Sequence, residues 1–431
     1  MRRAAVCLSL FFLLVPTILP AAPPALGPGE ELTLERCIEI GIANQPEILQ
    51  YLYTLEASQA DLGKAKASYY PRLDVKGTLT GYNLARKTDD PYPPINLYGY
   101  RYLDNTLSLS QKIYDFGRRE AEVDVARHRV DAARLEMEDR INNLVNRIKG
   151  AYYEVLKAQI SRDIDREARE QYRKQLDQAR LFFAAGKRPK YDVTNAEVYL
   201  SGAEMRLIDS ENALRIARLT LNTAMGYEGD APYTLKGVSL PEKGSLSEGD
   251  ALDGAYKNRR DLRALLAQRE AAVRATDQAR REYFPSLDAN GAYEFAGSQT
   301  PLAQGWTVGV GLTWNLFQGF ATREGLRKAQ ADLKTQEAKI AALRLQILQE
   351  VKTALLSIKR AEESMANARL QVRQATENLE QVNLRYEAGL ATSLEVTTAT
   401  VNLSQARQAE ANAFYNYLSS QANLQKAMGV R

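Results

Sequence analysis

The sequence has 431 residues, with 57 Lys and Arg against 53 Asp and Glu, which gives a net charge of +4. A single His and two Cys argue against a histidine-based catalytic centre, a zinc finger and a disulfide scaffold. A mean hydropathy of −0.39 argues against a bundle of transmembrane helices. The sequence is only weakly basic and has no cluster of Lys and Arg residues, so nothing favours nucleic-acid binding.

The N-terminus is predicted to be a secretory signal peptide. Arg2 and Arg3 precede an apolar stretch from Ala4 to Leu19, and small residues and prolines follow it. This pattern is too short for a membrane anchor. We place the signal at residues 1–22, with cleavage between 21 and 27. Cys37 is then the lone thiol of the mature chain and is expected to be a small apolar helix residue.

The mature chain is an internal duplication. Residues 178–226 align with 381–429 without a gap, and both segments end in Ala-Met-Gly. A Tyr-Pro-x-Leu-Asp segment at 70–74 corresponds to Phe-Pro-x-Leu-Asp at 284–288. We therefore divide the chain into a first repeat (23–226), a turn-rich connecting segment (227–247) and a second repeat (248–431).

Each repeat is predicted to run helix, two strands, very long helix, helix. Apolar residues from Ile358 to Tyr386 recur at alternating steps of three and four, which is the spacing of a coiled-coil seam. The long helices are expected over 118–185 and 320–388. Gly186 and Gly389 should end them, because glycine fits the left-handed position after a helix. Second helices are expected at about 191–226 and 393–428.

Four segments, at about 71–84, 102–114, 285–297 and 305–317, alternate apolar and small or polar residues. In the second, Leu103, Leu107, Leu109 and Ile113 are expected on one face. Each segment is about as long as a transmembrane β-strand, and the alternation is that of a barrel with a lipid-facing outside. The aromatic residues expected at the membrane–water boundary are Tyr70, Tyr82, Tyr102, Tyr114, Phe284, Trp306, Trp314 and Phe317.

Four strands cannot close a barrel, because open edges in lipid leave backbone groups unpaired. The chain is therefore expected to share strands between copies. A dimer would supply about 8 strands and a trimer about 12, and this arithmetic alone does not choose between them.

These parts together resemble the TolC family of outer-membrane efflux and secretion channels. The resemblance rests on their order and duplication, on the tip motif Arg385-Tyr386-x-x-Gly389-Leu390 followed by Glu395-Val396, and on the strand exit Tyr114-Asp115-Phe116-Gly117. It implies a mainly α fold with β-strands. Three chains would form a 12-stranded barrel in the outer membrane of a Gram-negative bacterium. A coiled-coil tunnel would continue it into the periplasm, with a mid-tunnel belt from 227–247.

The resemblance also implies a passive duct that docks a periplasmic adaptor and an inner-membrane pump, of RND or ABC type, and opens like an iris. The expected docking residues in the two hairpin turns are Ala185, Gly186, Lys187, Arg188, Ala388, Gly389, Leu390 and Ala391.

The same resemblance implies gate or lumen positions at Tyr386, Asp192 and Glu395. Two positions depart from the family pattern: Ala391 stands where an arginine is usual, and Thr398 where a second acid is usual. The basic residues that could replace the missing arginine are Lys187, Arg188, Lys190 and Arg385. Simpler interpretations remain open. Tyr386 could only pack in the core, and Asp192 and Glu395 could only stabilise the N-termini of their helices through the helix dipole.

The alternative function is a periplasmic structural or adaptor coiled coil without a pore. Such a protein should have one helical hairpin flanked by β modules, whereas this chain has strand pairs between helices twice. The duct is therefore favoured. No nucleophile, base or metal constellation is visible, so we expect no enzymatic activity, cofactor or metal, and the cargo (drug, metal or protein) stays open.

Overall fold

The computed structural model describes residues 29–82, 100–229, 233–240, 247–298 and 301–430. The predicted signal peptide, with its cleavage region, lies outside these residues, as does the side chain of Tyr82. The connecting segment 227–247 is described in part.

The two repeats contain the same helices at the same lengths: 11, 22, 67 and 35 residues. The elements of the first repeat are β1 (Glu31–Leu32), α1 (Leu34–Asn44), α2 (Pro46–Ala67), β2 (Arg72–Tyr82), β3 (Tyr100–Tyr114), α3 (Arg118–Ala184) and α4 (Lys190–Ala224). Those that follow are β4 (Thr234–Leu235), α5 (Glu248–Asn258), α6 (Arg260–Arg281), β5 (Ser286–Gly297), β6 (Ala303–Thr313), α7 (Ala321–Glu387) and α8 (Ser393–Ala427).

The long helices α3 and α7 are each about 100 Å in length. Toward the strands, α3 contacts the short helices α2 and α6, and α7 contacts α6. Toward the turns, α3 contacts α4 and α8, and α7 contacts α8. Ala361, Met365, Ala368 and Val382 of the predicted seam are buried. A globular core cannot bury a helix of this length. The apolar seam residues of each long helix are therefore buried against neighbouring helices.

The main core lies partway along α3, where α1, α4, α8 and the parallel pair β1–β4 meet it. Tyr152 on α3 is fully buried, and its hydroxyl lies 2.6 Å from the Lys236 carbonyl and 3.1 Å from the Leu32 carbonyl. This side chain therefore ties the ends of β1 and β4 to the long helix. Cys37 is also fully buried in this core.

The four long strands form one antiparallel sheet in the order β2-β3-β5-β6, so that β2 and β6 are its edges. Residues paired across the sheet share a face. One row contains Val75, Leu107, Tyr293 and Trp306, and the next contains Leu73, Leu109, Gly291 and Val308. The opposite face contains rows such as Asp74, Ser108, Ala292 and Thr307. The sheet thus has one largely apolar face, interrupted at the row of Gly77, Asn105, Phe295 and Gln304, and one polar face.

Two details of the strands differ from the sequence prediction. The register of β3 against β5 shifts between Lys112 and Tyr114, so Tyr114 takes the place on the apolar face that alternation gave to Ile113. The last strand ends at Thr313 instead of 317, because its partner β5 begins at Ser286, which pairs with Thr313. Within the described residues, no helix combines the length and apolar composition needed to cross a membrane.

Candidate functional site

The two helical turns lie at the far end of α3 and α7 from the sheet. Gly186 has φ +68° and Gly389 has φ +77°, which is the left-handed region that favours glycine. The Lys187 amide donates to the Phe182 carbonyl at 2.9 Å, and the Leu390 amide donates to the Arg385 carbonyl at 2.7 Å. Both turns therefore close in the same way, as expected from the matching glycines.

Most of the residues predicted to dock a partner are exposed. The residues exposed to solvent are Ala185, Gly186, Lys187, Ala388, Gly389 and Leu390. Arg188 is half-buried, and Ala391 is only 4% exposed. Leu390, by contrast, is 71% exposed. A partner that docks on the second turn would therefore meet the Leu390 side chain, whereas the Ala391 side chain faces the protein itself.

Tyr386 and Asp192, predicted at the gate, lie against the same cleft between the two hairpins. The Tyr386 ring packs edge-on against Phe182, with ring centroids 6.2 Å apart. Asp192 is 9% exposed and accepts a hydrogen bond from the Ser393 hydroxyl at 3.3 Å. Burial raises the pKa of the Tyr386 phenol, an effect that nearby Arg188 opposes and Asp192 reinforces.

Glu395 has a different environment. Its carboxylate accepts hydrogen bonds from the Thr392 amide at 3.1 Å and from the Thr392 hydroxyl at 3.0 Å, and the Glu395 amide donates back to that hydroxyl. This is a capping box at the start of α8. The hydrogen bonds from Thr392 lower the pKa of the Glu395 carboxyl, and Arg385 at 3.9 Å adds to the shift. A luminal role for Glu395 stays a prediction.

Arg188 crosses from the first turn to the second. Its guanidinium donates to the Ala391 carbonyl at 3.3 Å and lies 5.7 Å from the centroid of the Tyr386 ring. Arg385 instead contacts its own turn, at the Leu390 carbonyl. No hydrogen bond or ion pair joins Lys187 or Lys190 to the second turn in the described part of the chain. The candidate set of four basic residues therefore contains one that links the turns.

The polar contacts that α8 makes with α3 and α4 were not predicted from the sequence. Gln175 donates to the Thr400 hydroxyl at 3.1 Å, and Ser393 reaches Asp192 from the other hairpin. The sequence of α3 contains one signal, because the polar residues Arg162, Asp165 and Arg169 occupy the seam where the second long helix has apolar residues. That signal does not identify the partner residues, since they are more than 200 positions away in the chain.

The aromatic residues predicted at the membrane boundary gather mainly where strands meet helices. Tyr114 packs on Phe116, which stacks on Phe284 at 5.3 Å. The Trp314 indole donates to the Tyr283 carbonyl at 3.0 Å. Among the predicted boundary residues, the exposed side chains are those of Tyr70, Tyr114, Phe284, Trp306, Trp314 and Phe317, whereas Tyr102 is half-buried.

A family model for outer membrane efflux proteins matches residues 38–227 and 251–430. Protein CyaE of Bordetella pertussis is 25% identical over 400 residues, which cover 91% of this chain and 83% of that protein. Outer membrane protein TolC of Vibrio cholerae is 22% identical and covers 90% and 88%. The crystal structure of the outer membrane protein VceC from Vibrio cholerae superposes with a TM-score of 0.77 at 20% identity, covering 92% and 96%.

Proposed function

The chain belongs to the outer membrane efflux protein family, and from that premise we propose that three copies form the passive exit duct of a tripartite efflux or type I secretion system. Its strands lie in the outer membrane and its long helices extend into the periplasm. The observation that carries the proposal is the four-stranded sheet, apolar on one face and polar on the other, which continues directly into helices about 100 Å long.

The open edges of the sheet support an oligomer whose copies share strands, and membership of a family of trimeric channels favours three copies. Strands β2 and β6 have free backbone groups along one side, and each such group costs several kcal/mol in lipid. Pairing β6 of one copy with β2 of the next satisfies these groups and gives a closed barrel of about 12 strands. The flanking helices carry exposed apolar residues for the same packing, including Met205 and Ile216 on α4 and Leu356 and Leu370 on α7.

The hairpin tips are the docking and gating end of the duct. An adaptor meets the exposed side chains of Lys187 and Leu390 and connects the duct to an inner-membrane pump of the RND or ABC type. Tyr386, Asp192 and Glu395 lie at the narrowed end of the tunnel, and an adaptor that binds the open form more tightly shifts the gate toward it. The connecting segment 227–247 contributes to a belt around the tunnel.

Site-directed labelling of intact cells tests this orientation. Ser298→Cys places a thiol at the exposed β5–β6 connection, and Leu390→Cys places one at the tip. A membrane-impermeant maleimide should label the first in intact cells and the second only after the outer membrane is permeabilised. The wild-type chain is the matched control, because Cys37 is buried. Labelling of Leu390→Cys in intact cells would overturn the orientation.

Reconstitution tests the duct itself. The purified protein should migrate as a heat-sensitive trimer and conduct ions across a planar lipid bilayer. Recovery of the protein in the soluble periplasmic fraction, with no conductance, would instead support the coiled-coil alternative.

A further inference from the structure

A cavity of about 480 Å³ lies between the two hairpins, where α3 of the first faces α7 and α8 of the second. It is lined mainly by apolar side chains, which are those of Ile160, Ile164, Met365, Val372, Ala411 and Phe414. The small Ala411 leaves room among larger neighbours. A cavity of this size with a mainly apolar lining is typical of a site for a small molecule.

The apolar lining belongs to the second repeat and is not a product of the duplication. The long helices α3 and α7 have equal lengths and align at the same offset as segments 178–226 and 381–429. At this offset, four cavity residues of α7 and α8 have charged or polar counterparts in the first repeat. Arg162, Arg169, Glu211 and Asn212 stand there in place of Met365, Val372, Phe414 and Tyr415. The same helical hairpin therefore forms without this lining, so helix packing alone does not require it.

Tyr415 adds a polar group without a partner to the lining. Its side chain is only 6% exposed, and its ring packs edge-on against Phe414 with centroids 5.0 Å apart. Among the described residues, its hydroxyl makes no hydrogen bond, although the oxygen keeps some contact with solvent. Burial raises the pKa of this phenol, so it stays protonated and can both donate and accept. A polar group of a bound molecule would supply the missing hydrogen bond.

The charged residues around the cavity balance one another. Arg407 pairs with Glu167 at 2.7 Å, and Arg369 lies 3.9 Å from Glu410. A charged ligand would compete with one of these pairs and would bring an unbalanced charge onto the apolar lining, which costs free energy. An uncharged ligand leaves both pairs in place.

The lining also favours an aromatic ligand. Phe414 is half-buried and offers its ring to a further edge-to-face contact, and the thioether of Met365 packs well against aromatic rings. We propose that this cavity binds an uncharged aromatic molecule whose polar group forms a hydrogen bond with the Tyr415 hydroxyl. The site lies along the helices, away from the hairpin turns, so the inference goes beyond the docking and gating proposed there.

Photolabelling of the purified protein in lipid nanodiscs tests the site. The probe is para-(hydroxymethyl)benzophenone, which is uncharged and has a ketone that accepts a hydrogen bond. On irradiation the ketone takes a hydrogen atom from a nearby C–H group, and the two carbons then join. Mass spectrometry should find the label on the peptides that contain Met365 or Phe414.

Substitutions within the cavity should reduce this labelling. Ala411→Leu fills the space and should abolish it, whereas Ala409→Leu, on the same helix but outside the lining, should not. Tyr415→Phe should raise the half-saturating probe concentration about threefold to tenfold, as expected for one lost hydrogen bond. Tyr153→Phe is its matched control, because that hydroxyl also has no hydrogen bond in the described structure but lies outside the cavity.

Two charged probes of similar shape test the chemistry of the ligand. The anionic para-benzoylbenzoate and the cationic para-(trimethylammoniomethyl)benzophenone should both label the cavity less than the uncharged probe. Stronger labelling by either would overturn the assignment of an uncharged ligand. Labelling that persists in Ala411→Leu, or that is confined to the strands facing lipid, would overturn the site itself. Circular dichroism shows whether each variant is folded, and Val372→Trp fills the same cavity if Ala411→Leu is not.

Discussion

Gly226 and Gly429 occupy the same place in the two repeats, and each meets the backbone of a junction between two short helices. A Cβ at 226 would lie 2.9 Å from the carbonyl carbon of Asn44, between α1 and α2. A Cβ at 429 would lie 2.8 Å from the backbone nitrogen of Arg259, between α5 and α6. The Ala-Met-Gly ending of each repeat therefore marks a close contact between backbones.

Gly226→Ala is expected to destabilise the protein. The added methyl group is strained by the positive φ of +67° and must also push away the Asn44 backbone. Gly186→Ala is the matched control, because Gly186 has φ +68° and nothing within 4 Å of the added Cβ. Thermal unfolding followed by circular dichroism should show Gly226→Ala to be less stable than Gly186→Ala by about 1–3 kcal/mol. Equal losses would mean that only the backbone angle matters.

Arg119 is expected to be essential where the first strand pair meets α3. Its guanidinium pairs with the Asp115 carboxylate at 3.2 Å and donates to the carbonyls of Ser68, Lys112 and Ile113. Arg119→Ala leaves the buried Asp115 charge unpaired, which costs about 3–5 kcal/mol. The heat needed to dissociate the trimer should fall sharply, whereas Arg118→Ala, with no ion pair in the described structure, should leave it nearly unchanged.

Tyr152→Phe tests the tie between the core and the β1–β4 pair. It removes only the hydroxyl that reaches the Leu32 and Lys236 carbonyls, so a loss of about 1–3 kcal/mol is expected. Tyr153→Phe is a neighbouring control, since the Tyr153 hydroxyl makes no hydrogen bond within the described residues. Denaturant unfolding in detergent should separate the two variants, and identical curves would contradict the role of the hydroxyl.

Cys37 is expected to be unreactive in the folded protein. Burial raises the pKa of its thiol to about 12, and the carboxylate of Glu35 adds to the shift. At neutral pH the reactive thiolate is therefore scarce as well as inaccessible. Iodoacetamide should label the mature protein only after denaturation, once per chain. A Leu390→Cys variant should gain a label in the native state, which controls for the reagent.

The start of α8 is expected to weaken in acid. The pKa of the Glu395 carboxyl is lowered in the folded protein from its usual 4.5 by its hydrogen bonds to Thr392. Its ionised form therefore stabilises the fold fully above that usual value, and the benefit is lost as the pH falls through the lowered pKa. Hydrogen exchange in the first turn of α8 should be slower in the wild type than in Glu395→Ala at neutral pH. The two rates should converge once the pH is below the lowered pKa, and a difference that persists there would contradict the carboxylate's role.

The local elements of this protein follow from its sequence. The alternation of apolar and polar residues along β6 reflects the strand repeat of about two residues. The spacing of apolar residues by three and four along α7 reflects the helix repeat of about 3.6 residues per turn. Gly186 and Gly389 mark the hairpin turns because glycine adopts the left-handed conformation at less cost than any other residue. Because the sequence is duplicated, a helix or strand predicted in one repeat is expected at the matching position of the other.

The contacts between the repeats were decided only by the tertiary structure. Arg188 was one of four basic candidates, and its selection depends on which side chain lies above Ala391 when two hairpins pack together. The close approach of Gly226 to Asn44 and the register shift before Tyr114 are likewise invisible to periodicity. Such contacts join residues far apart in the chain, and their energies depend on distances of a few tenths of an ångström that packing of the whole molecule sets.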